Sequence, residues 1–149
     1  MILYVLYLFY RYYSESLTIP WKNLQNHKKV AIAAASMWKA NTKGLIDVKL
    51  ENQEWKTYID SRRAGRYDAA RAGWNADYNQ ATTFGNYFLS NSSNNTAKYA
   101  NPEYDKAIAE SYVATDAEGR AKAYAKAEEI LAKDFGIVPI FNYVNPRLV

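Results

Sequence analysis

The sequence has no cysteine and a single histidine, His27, among its 149 residues. Without cysteine the chain has no disulfide framework and no thiolate metal site, and one histidine is too few for a histidine-rich metal centre. No Gly-x-Ser-x-Gly motif and no phosphate-binding loop occur. Because no nucleophile and base pair is evident, we predict a protein that is not an enzyme and has no metal or other cofactor. Scattered acids such as Asp60 and Asp68 leave a glycosidase as the enzymatic alternative.

Clusters of one sign of charge are also lacking. The 19 basic and 15 acidic residues give a formal net charge of +4 and are interleaved along the chain. A nucleic-acid interface needs lysine and arginine in a patch or stripe, so the pattern predicts no nucleic-acid partner. The length and the 49% hydrophobic content are sufficient for one globular domain with a real core.

Long hydrophobic runs are limited to the first ten residues. This run ends at Arg11 and is shorter than the roughly 18 to 20 residues of a membrane-spanning helix. A signal peptide would have a basic start and a small-residue cleavage site, and residues 1–16 have neither. Two interpretations of residues 1–16 stay open, a frame artefact upstream of a genuine coding segment and a peptide that touches a membrane.

Periodic patterns predict alternating strands and helices in the first half of the chain. The pattern is typical of a βαβ unit with a mostly parallel sheet. Pro20 is expected to stop the first strand, Asn26 and Asn52 to cap the two helices, and Gly44 and Gly65 to end them. The predicted elements are a strand at Leu17–Ile19, a helix at His27–Asn41, a strand at Ile46–Glu51, a helix to Arg63 and a strand at Tyr67–Ala72.

The second half is predicted to be mainly helical. Asn101 followed by Pro102 is a strong helix start, and Thr115 or Asp116 is expected to cap the next helix. Pro139 in the last strand indicates a sheet edge or a bulge. The predicted elements are a short helix at Thr83–Leu89, a polar loop at Ser90–Lys98, helices at Pro102–Val113 and up to Asp134, and a strand at Ile137–Asn145.

The most informative stretch is Asp68–Tyr78, which runs from small residues through Gly73 into three closely spaced functional side chains. Arg71 and Asp77 supply opposite charges, and Trp74 supplies a broad apolar wall. The small residues between them allow another backbone to approach closely. An oligopeptide, with an ammonium at one end and a carboxylate at the other, matches such an edge.

At this point the sequence resembles the periplasmic oligopeptide-binding proteins of ABC importers, including relatives that take murein peptides. The resemblance covers residues 17–149. Family members are several-fold longer, so it implies a partial C-terminal lobe of a type II periplasmic-binding-protein fold. That lobe is α/β, with a mostly parallel sheet flanked by helices. The strongest blocks are His27–Trp38, Leu50–Trp55, Ala70–Trp74, Ser92–Thr96 and Ile137–Asn145.

The resemblance implies that Asp77 receives the α-ammonium of the ligand. The alternative is that Asp77 and Gln80 form a capping box for the next helix. Trp74 is expected to be a pocket wall, although a core aromatic is the alternative. Asn75 follows it where better-known members carry cysteine, and we expect this change to alter the polarity of the pocket more than the affinity.

Arg71, Arg62 and His27 match positions where family members receive the carboxyl termini of peptides of different lengths. Arginine suits this role because its planar guanidinium binds carboxylates in a bidentate manner. The alternative for these three residues is a solvated or inter-lobe ion pair, and His27 at a helix start is also typical of a surface residue. Tyr143 matches a family tyrosine at the peptide backbone, and Ala70–Trp74 and Phe141–Tyr143 are expected to offer extended edges to a ligand strand.

The function implied by the resemblance is that of a truncated peptide-binding component of an ABC peptide importer. Its partners are an oligopeptide ligand and, for the full-length family, the membrane subunits of the transporter. The implied location is the periplasm. The alternative is a small interaction protein tethered to a membrane by residues 1–16, with no role in transport. Ligand length and the preference among ordinary peptides, murein peptides and haem stay open.

Overall fold

A computed structural model describes residues 2–8, 16–22 and 25–143 of the chain. The backbone separates into two compact units, a first unit of Leu6–Ala72 and a second unit of Met1–Val5 with Gly73–Val149. No helix in the described ranges has both the length and the apolar composition to cross a bilayer. Whether residues 1–16 are a frame artefact or a membrane-touching peptide stays a prediction.

The first strand, β1, spans Ile2–Leu8 and precedes a strand, helix, strand, helix series in the first unit. β2 and β3 pair in parallel, with Ser16 opposite Asp47 and Lys22 opposite Gln53. α1 connects these strands and packs against both of them, so β2, α1 and β3 form a βαβ unit. A mostly parallel sheet for the whole lobe stays a prediction. The series consists of β2 (Ser16–Lys22), α1 (Gln25–Asn41), β3 (Asp47–Gln53) and α2 (Trp55–Arg63).

The prediction that Pro20 stops the first strand is wrong. Pro20 lies inside β2, opposite Glu51 of β3. The sheet formed by β2 and β3 has two strands, so each of them is an edge strand. A proline without a backbone N–H is tolerated there, because one side of an edge strand makes no ladder hydrogen bonds.

Two predicted helix caps are also wrong. Asn26 lies inside α1, which begins at Gln25, and Asn52 lies inside β3. The cap of α2 is Glu54, whose side chain accepts hydrogen bonds from the backbone N–H groups of Lys56 and Thr57. The backbone of Glu54 is extended, and its carboxylate is at the helix N-terminus, where negative charge is favourable.

The ends of α1 and α2 follow the predicted glycine signals. Gly44 has φ 83° and Gly65 has φ 67°, the left-handed region that glycine adopts without a steric penalty. The N–H of Gly44 donates to the carbonyl of Lys39, and that of Gly65 donates to the carbonyl of Arg62. Both glycines therefore terminate their helices in the expected manner.

The second unit begins within the strand β4, whose residues Ala69–Asn75 extend three residues beyond the predicted end. The strand order is β4-β1-β5, so β1 lies between β4 and β5. Positions 144 and 145 of the predicted last strand lie outside the described residues. The elements after β4 are α3 (Thr82–Gly85), a 3₁₀ turn (Asn86–Phe88), α4 (Pro102–Val113), α5 (Ala117–Lys133) and β5 (Val138–Tyr143).

Local signals define α4 and α5. Asn101 caps α4, because its side chain accepts from the N–H groups of Glu103 and Tyr104. Asp116 caps α5 by accepting from the N–H of Gly119. Both caps are among those predicted. The two helices pack against each other, and their buried residues form much of the core of the second unit, including Tyr104, Ala107, Ile108, Ala123, Ala127 and Leu131.

Asp134, just after α5, connects that helix to the segment before α4. One of its carboxylate oxygens accepts from the hydroxyl of Tyr99 at 2.6 Å and from the side-chain amide of Asn101 at 2.7 Å. The hydrogen bond from Tyr99, followed by that from Asn101, lowers the pKa of Asp134. Burial and the bond to Asp134 raise the pKa of Tyr99.

Asp134→Asn is expected to lower the free energy of unfolding by about 1 kcal/mol at neutral pH, since charge-assisted hydrogen bonds to an exposed group are lost. A carboxylate with a lowered folded-state pKa stabilises the fold above its ordinary pKa of 3.8. That contribution is lost as the pH falls through the folded-state pKa. The difference between the two proteins should therefore shrink below pH 3.8, as measured by urea unfolding between about pH 2.5 and pH 7.

Glu129→Gln is the control for this prediction, since Glu129 pairs with Lys133 at an exposed i, i+4 position on α5. We expect a smaller effect for it at neutral pH than for Asp134→Asn. A loss from Asp134→Asn that stays constant down to the lowest pH would contradict the proposed role of the charged carboxylate.

Candidate functional site

The segment 76–81, which we call the Asp77 loop, follows the end of β4 at Asn75. Asp77 is exposed, and its backbone N–H donates to Thr83 Oγ1 at 3.0 Å. Its carboxylate accepts no hydrogen bond from the described part of the chain. The loop therefore presents a carboxylate that is open to solvent, while the backbone of the same residue is held by a buried side chain.

The capping-box interpretation of Asp77 is wrong. A helix capped by Asp77 would begin at residue 78, whereas α3 begins at Thr82. The residue before α3 is Ala81, which makes no side-chain capping bond. Residues 77–80 form bends, and the N–H of Gln80 donates to the carbonyl of Tyr78 at 3.0 Å.

Trp74 packs partly as a core aromatic, and its role as a pocket wall stays a prediction. Its ring packs edge-on against Tyr87, with centroids 4.9 Å apart and an interplanar angle of 62°. Tyr87 in turn packs against Phe88, so one side of the indole belongs to the core of the second unit. The rest of the Trp74 side chain is partly exposed, and the neighbouring Asn75 is exposed.

A cavity of about 840 Å³ lies in the second unit and is bordered by residues of the Asp77 loop. Its walls come mainly from α3, α4, α5 and the beginning of β5, and they are largely apolar and aromatic. This composition is typical of a surface that contacts apolar groups. Its larger apolar lining residues include Tyr78, Phe84, Phe88, Ile108, Leu131 and Ile137.

In the first unit, Tyr58, Arg62 and Arg71 form a group that we call the arginine cluster. Tyr58 is 0% exposed, and its hydroxyl donates to the carbonyl of Arg71. Arg62 Nη1 donates to the same hydroxyl at 3.4 Å, and Arg62 Cζ lies 5.4 Å from the centroid of the Tyr58 ring. Arg62 is 8% exposed, so the interpretation of Arg62 as a solvated residue is wrong.

The arginine cluster concentrates positive charge in a partly desolvated place. Burial lowers the pKa of Arg71 to about 10, with Tyr58 opposing this shift and the charge of Arg62 adding to it. Arg71 is therefore still protonated at neutral pH. Two neighbouring guanidinium groups with restricted access to water favour an anionic group in contact with them.

His27 and Tyr143 complete the predicted site residues. His27 is the third residue of α1, and Tyr143 is the last residue of β5. Their side chains lie outside the described part of the molecule, so their roles stay predictions. Within the described residues, no group of three His, Cys, Asp or Glu side chains is arranged to hold a metal ion.

The two expected ligand edges are each paired on one side. Because β1 lies between β4 and β5, each of these strands has one edge next to β1. In this sheet as described, β4 and β5 are the outer strands, and the edge of each strand that faces away from β1 has no neighbouring strand. Gly73 near the end of β4 is exposed, so there is no side chain at that point to obstruct an approaching backbone.

Sequence reasoning missed Thr83 and Tyr58, the residues that hold the backbones of Asp77 and Arg71. Thr83 was expected only as the start of a short helix, and Tyr58 only as an apolar helix position. Both act through contacts with residues several positions away, and neither contact has a spacing signature.

The family model described as bacterial extracellular solute-binding proteins, family 5 middle, matches residues 10–96, more than half of the chain. The match begins seven residues before the boundary at residue 17 that the sequence analysis predicts.

Two curated relatives are periplasmic proteins. The chain is 95% identical over 125 residues to the periplasmic oligopeptide-binding protein OppA of Haemophilus influenzae, covering 84% of this chain and 23% of that protein. It is 46% identical over 133 residues to the periplasmic murein peptide-binding protein MppA of Escherichia coli, covering 89% of this chain and 24% of that protein. The chain thus spans about a quarter of the length of the curated relatives it matches.

The fold is similar to that of solved periplasmic peptide-binding proteins. The crystal structure of Haemophilus influenzae OppA in complex with RPPGFSPFR superposes with a TM-score of 0.85 and 89% identity, covering 90% of this chain and 26% of that one. The resemblance inferred from the sequence is confirmed. The chain belongs to family 5 of the bacterial extracellular solute-binding proteins, a family of binding proteins and not of enzymes.

Proposed function

We propose that this chain is part of the peptide-binding component of an ABC peptide importer in the periplasm, and that it binds oligopeptides through the ligand backbone and α-amino group. The observation that carries the proposal is the exposed carboxylate of Asp77, two residues beyond the end of the outer strand β4. The other partners are the membrane subunits of the importer.

The outer edge of β4 supports binding through the ligand backbone. An extended peptide adds to a strand edge through main-chain hydrogen bonds, which are the same for every peptide sequence. The exposed Gly73 near the end of the strand leaves room for such an approach. Binding by backbone and termini explains how one protein accepts peptides of many sequences.

The exposed position of Asp77 limits what this chain achieves by itself. An ammonium–carboxylate pair in open water contributes only about 0–1 kcal/mol, because solvent screens the charges. The pair becomes stronger when a second surface covers it and excludes water. We therefore propose that the family clamps its ligand by closure of two lobes, and that this chain alone binds peptides weakly.

The arginine cluster is proposed to receive the carboxylate of a peptide. The hydroxyl of Tyr58 holds the Arg71 backbone and contacts Arg62, which favours a fixed orientation of both residues. The crystallised OppA of Haemophilus influenzae is a complex with the peptide RPPGFSPFR, which supports a peptide as the ligand class. His27 and Tyr143 are proposed as further contacts to the carboxyl end and the backbone.

Trialanine is expected to bind the chain about fivefold more tightly than N-acetyl-trialanine, which corresponds to a pair worth about 1 kcal/mol. Asp77→Asn should bring this ratio close to one, because the carboxamide carries no charge to pair with the ammonium. Isothermal titration calorimetry measures both affinities. Asp60→Asn is the matched control at another exposed aspartate, and it should keep the ratio of the unaltered chain. A preference for the free amine that survives in Asp77→Asn would contradict the role of Asp77.

Arg62→Gln is expected to reduce the preference for trialanine over its C-terminal amide by about tenfold, since bonds between charged groups are stronger at a buried site. The adjacent Arg63 is exposed, and Arg63→Gln should retain the preference. Calorimetry on both variants gives the comparison, with circular dichroism to verify that each is folded. Equal behaviour of the two variants would exclude Arg62 as a carboxylate-binding residue.

A further inference from the structure

We propose that Thr83 is a positioning residue for peptide binding, because it holds the backbone of Asp77 so that the carboxylate faces an incoming ammonium. This inference rests on the proposed function, in which Asp77 receives the α-amino group. It adds a residue that has no contact with the ligand and that acts through Asp77.

The contact between the two residues joins an exposed loop to a buried hydroxyl. Thr83 is 4% exposed, and its Oγ1 accepts the N–H of Asp77 at 3.0 Å. The N–H and the Cβ of a residue are attached to the same Cα. A bond that fixes the N–H fixes the peptide plane that includes the Asp77 Cα, and so restricts the point from which the side chain extends.

The short helix that carries Thr83 is itself held by α4. The hydroxyl of Tyr104, a residue that is 2% exposed, donates to the carbonyl of Gly85 at 2.8 Å. A Cβ at Gly85 would lie only 2.7 Å from Ile108 Cδ1, so α3 approaches the side chains of α4 closely at this point. Because α3 is in close contact with the core, Thr83 is a rigid point of attachment for Asp77.

The remaining bonds of the Asp77 loop do not reach Asp77. The N–H of Gln80 donates to the carbonyl of Tyr78, and the hydroxyl of Tyr78 donates to Thr82 Oγ1 at 3.1 Å. Among the described hydrogen bonds of the loop, the one that involves Asp77 itself is the bond from its N–H to Thr83 Oγ1. Loss of this bond should let the carboxylate sample more directions, and the ammonium would then bind at a greater cost in conformational entropy.

Substitutions at Thr83 separate positioning from packing. Thr83→Val keeps the β-branched shape and removes the acceptor, whereas Thr83→Ser keeps the hydroxyl and removes a methyl group. The freed N–H of Asp77 belongs to an exposed loop, where water replaces the lost acceptor. Thr115→Val is the matched control, because Thr115 is exposed in the connection between α4 and α5.

The experiment measures the affinities for trialanine and N-acetyl-trialanine by calorimetry, together with amide hydrogen exchange at Asp77. In Thr83→Val we expect about a threefold loss of affinity for trialanine, no change for the acetylated peptide, and faster exchange at Asp77. Thr83→Ser and Thr115→Val should keep the ratio of affinities found for the unaltered chain.

Four results would overturn the inference. An equal loss for both peptides in Thr83→Val means that Thr83 only supports the fold, and no loss for either peptide means that Asp77 needs no positioning. Rapid exchange of the Asp77 amide in the unaltered chain removes the contact itself, and this holds even if Thr83→Val does not fold. An unaltered chain that protects the amide but does not discriminate between the peptides refutes the proposed function, and the positioning role with it.

Discussion

The hydrogen bond from the Asp77 N–H to Thr83 Oγ1 joins the exposed end of β4 to the buried part of the second unit. The carboxylate of Asp77 remains in solvent, while its backbone is attached to a helix that packs on the core. This arrangement suits a binding residue, because the charged group is available to a ligand and the backbone that carries it is held in place. A carboxylate that is hydrogen-bonded within its own lobe would not be available to a ligand.

Much of the fold was predictable from local signals. The caps of α4 and α5 were predicted because Asn101–Pro102 and Asp116 act on residues within one helical turn. The errors at Asn52 and Pro20 share one cause, which is the pairing of β2 with β3. An asparagine already used in a strand is no longer a cap, and a proline is tolerated when its strand has an open side. Strand pairing is a long-range property that local signals do not contain.

For the candidate site, the family resemblance supplied the residues, but the contacts that orient them were not predicted. The resemblance proposed Asp77, Trp74 and the two arginines as site residues, and their roles in binding stay predictions. It did not find the residues that orient them, since Tyr58 contacts Arg71 across thirteen positions and Thr83 contacts Asp77 across six. Such contacts depend on how strands and helices meet, which a motif does not encode. The same limit explains why a solvated alternative stayed open for Arg62, although its guanidinium packs against a buried tyrosine.

Contact between a peptide amine and the carboxylate of Asp77 can be observed in a ¹⁵N-resolved NMR titration of the chain. With trialanine, we expect amide shifts to change first at Ala76, Asp77 and Tyr78, whereas N-acetyl-trialanine should leave these three amides nearly unmoved. Shift changes that are identical for the two peptides, or that occur away from the Asp77 loop, would contradict that contact.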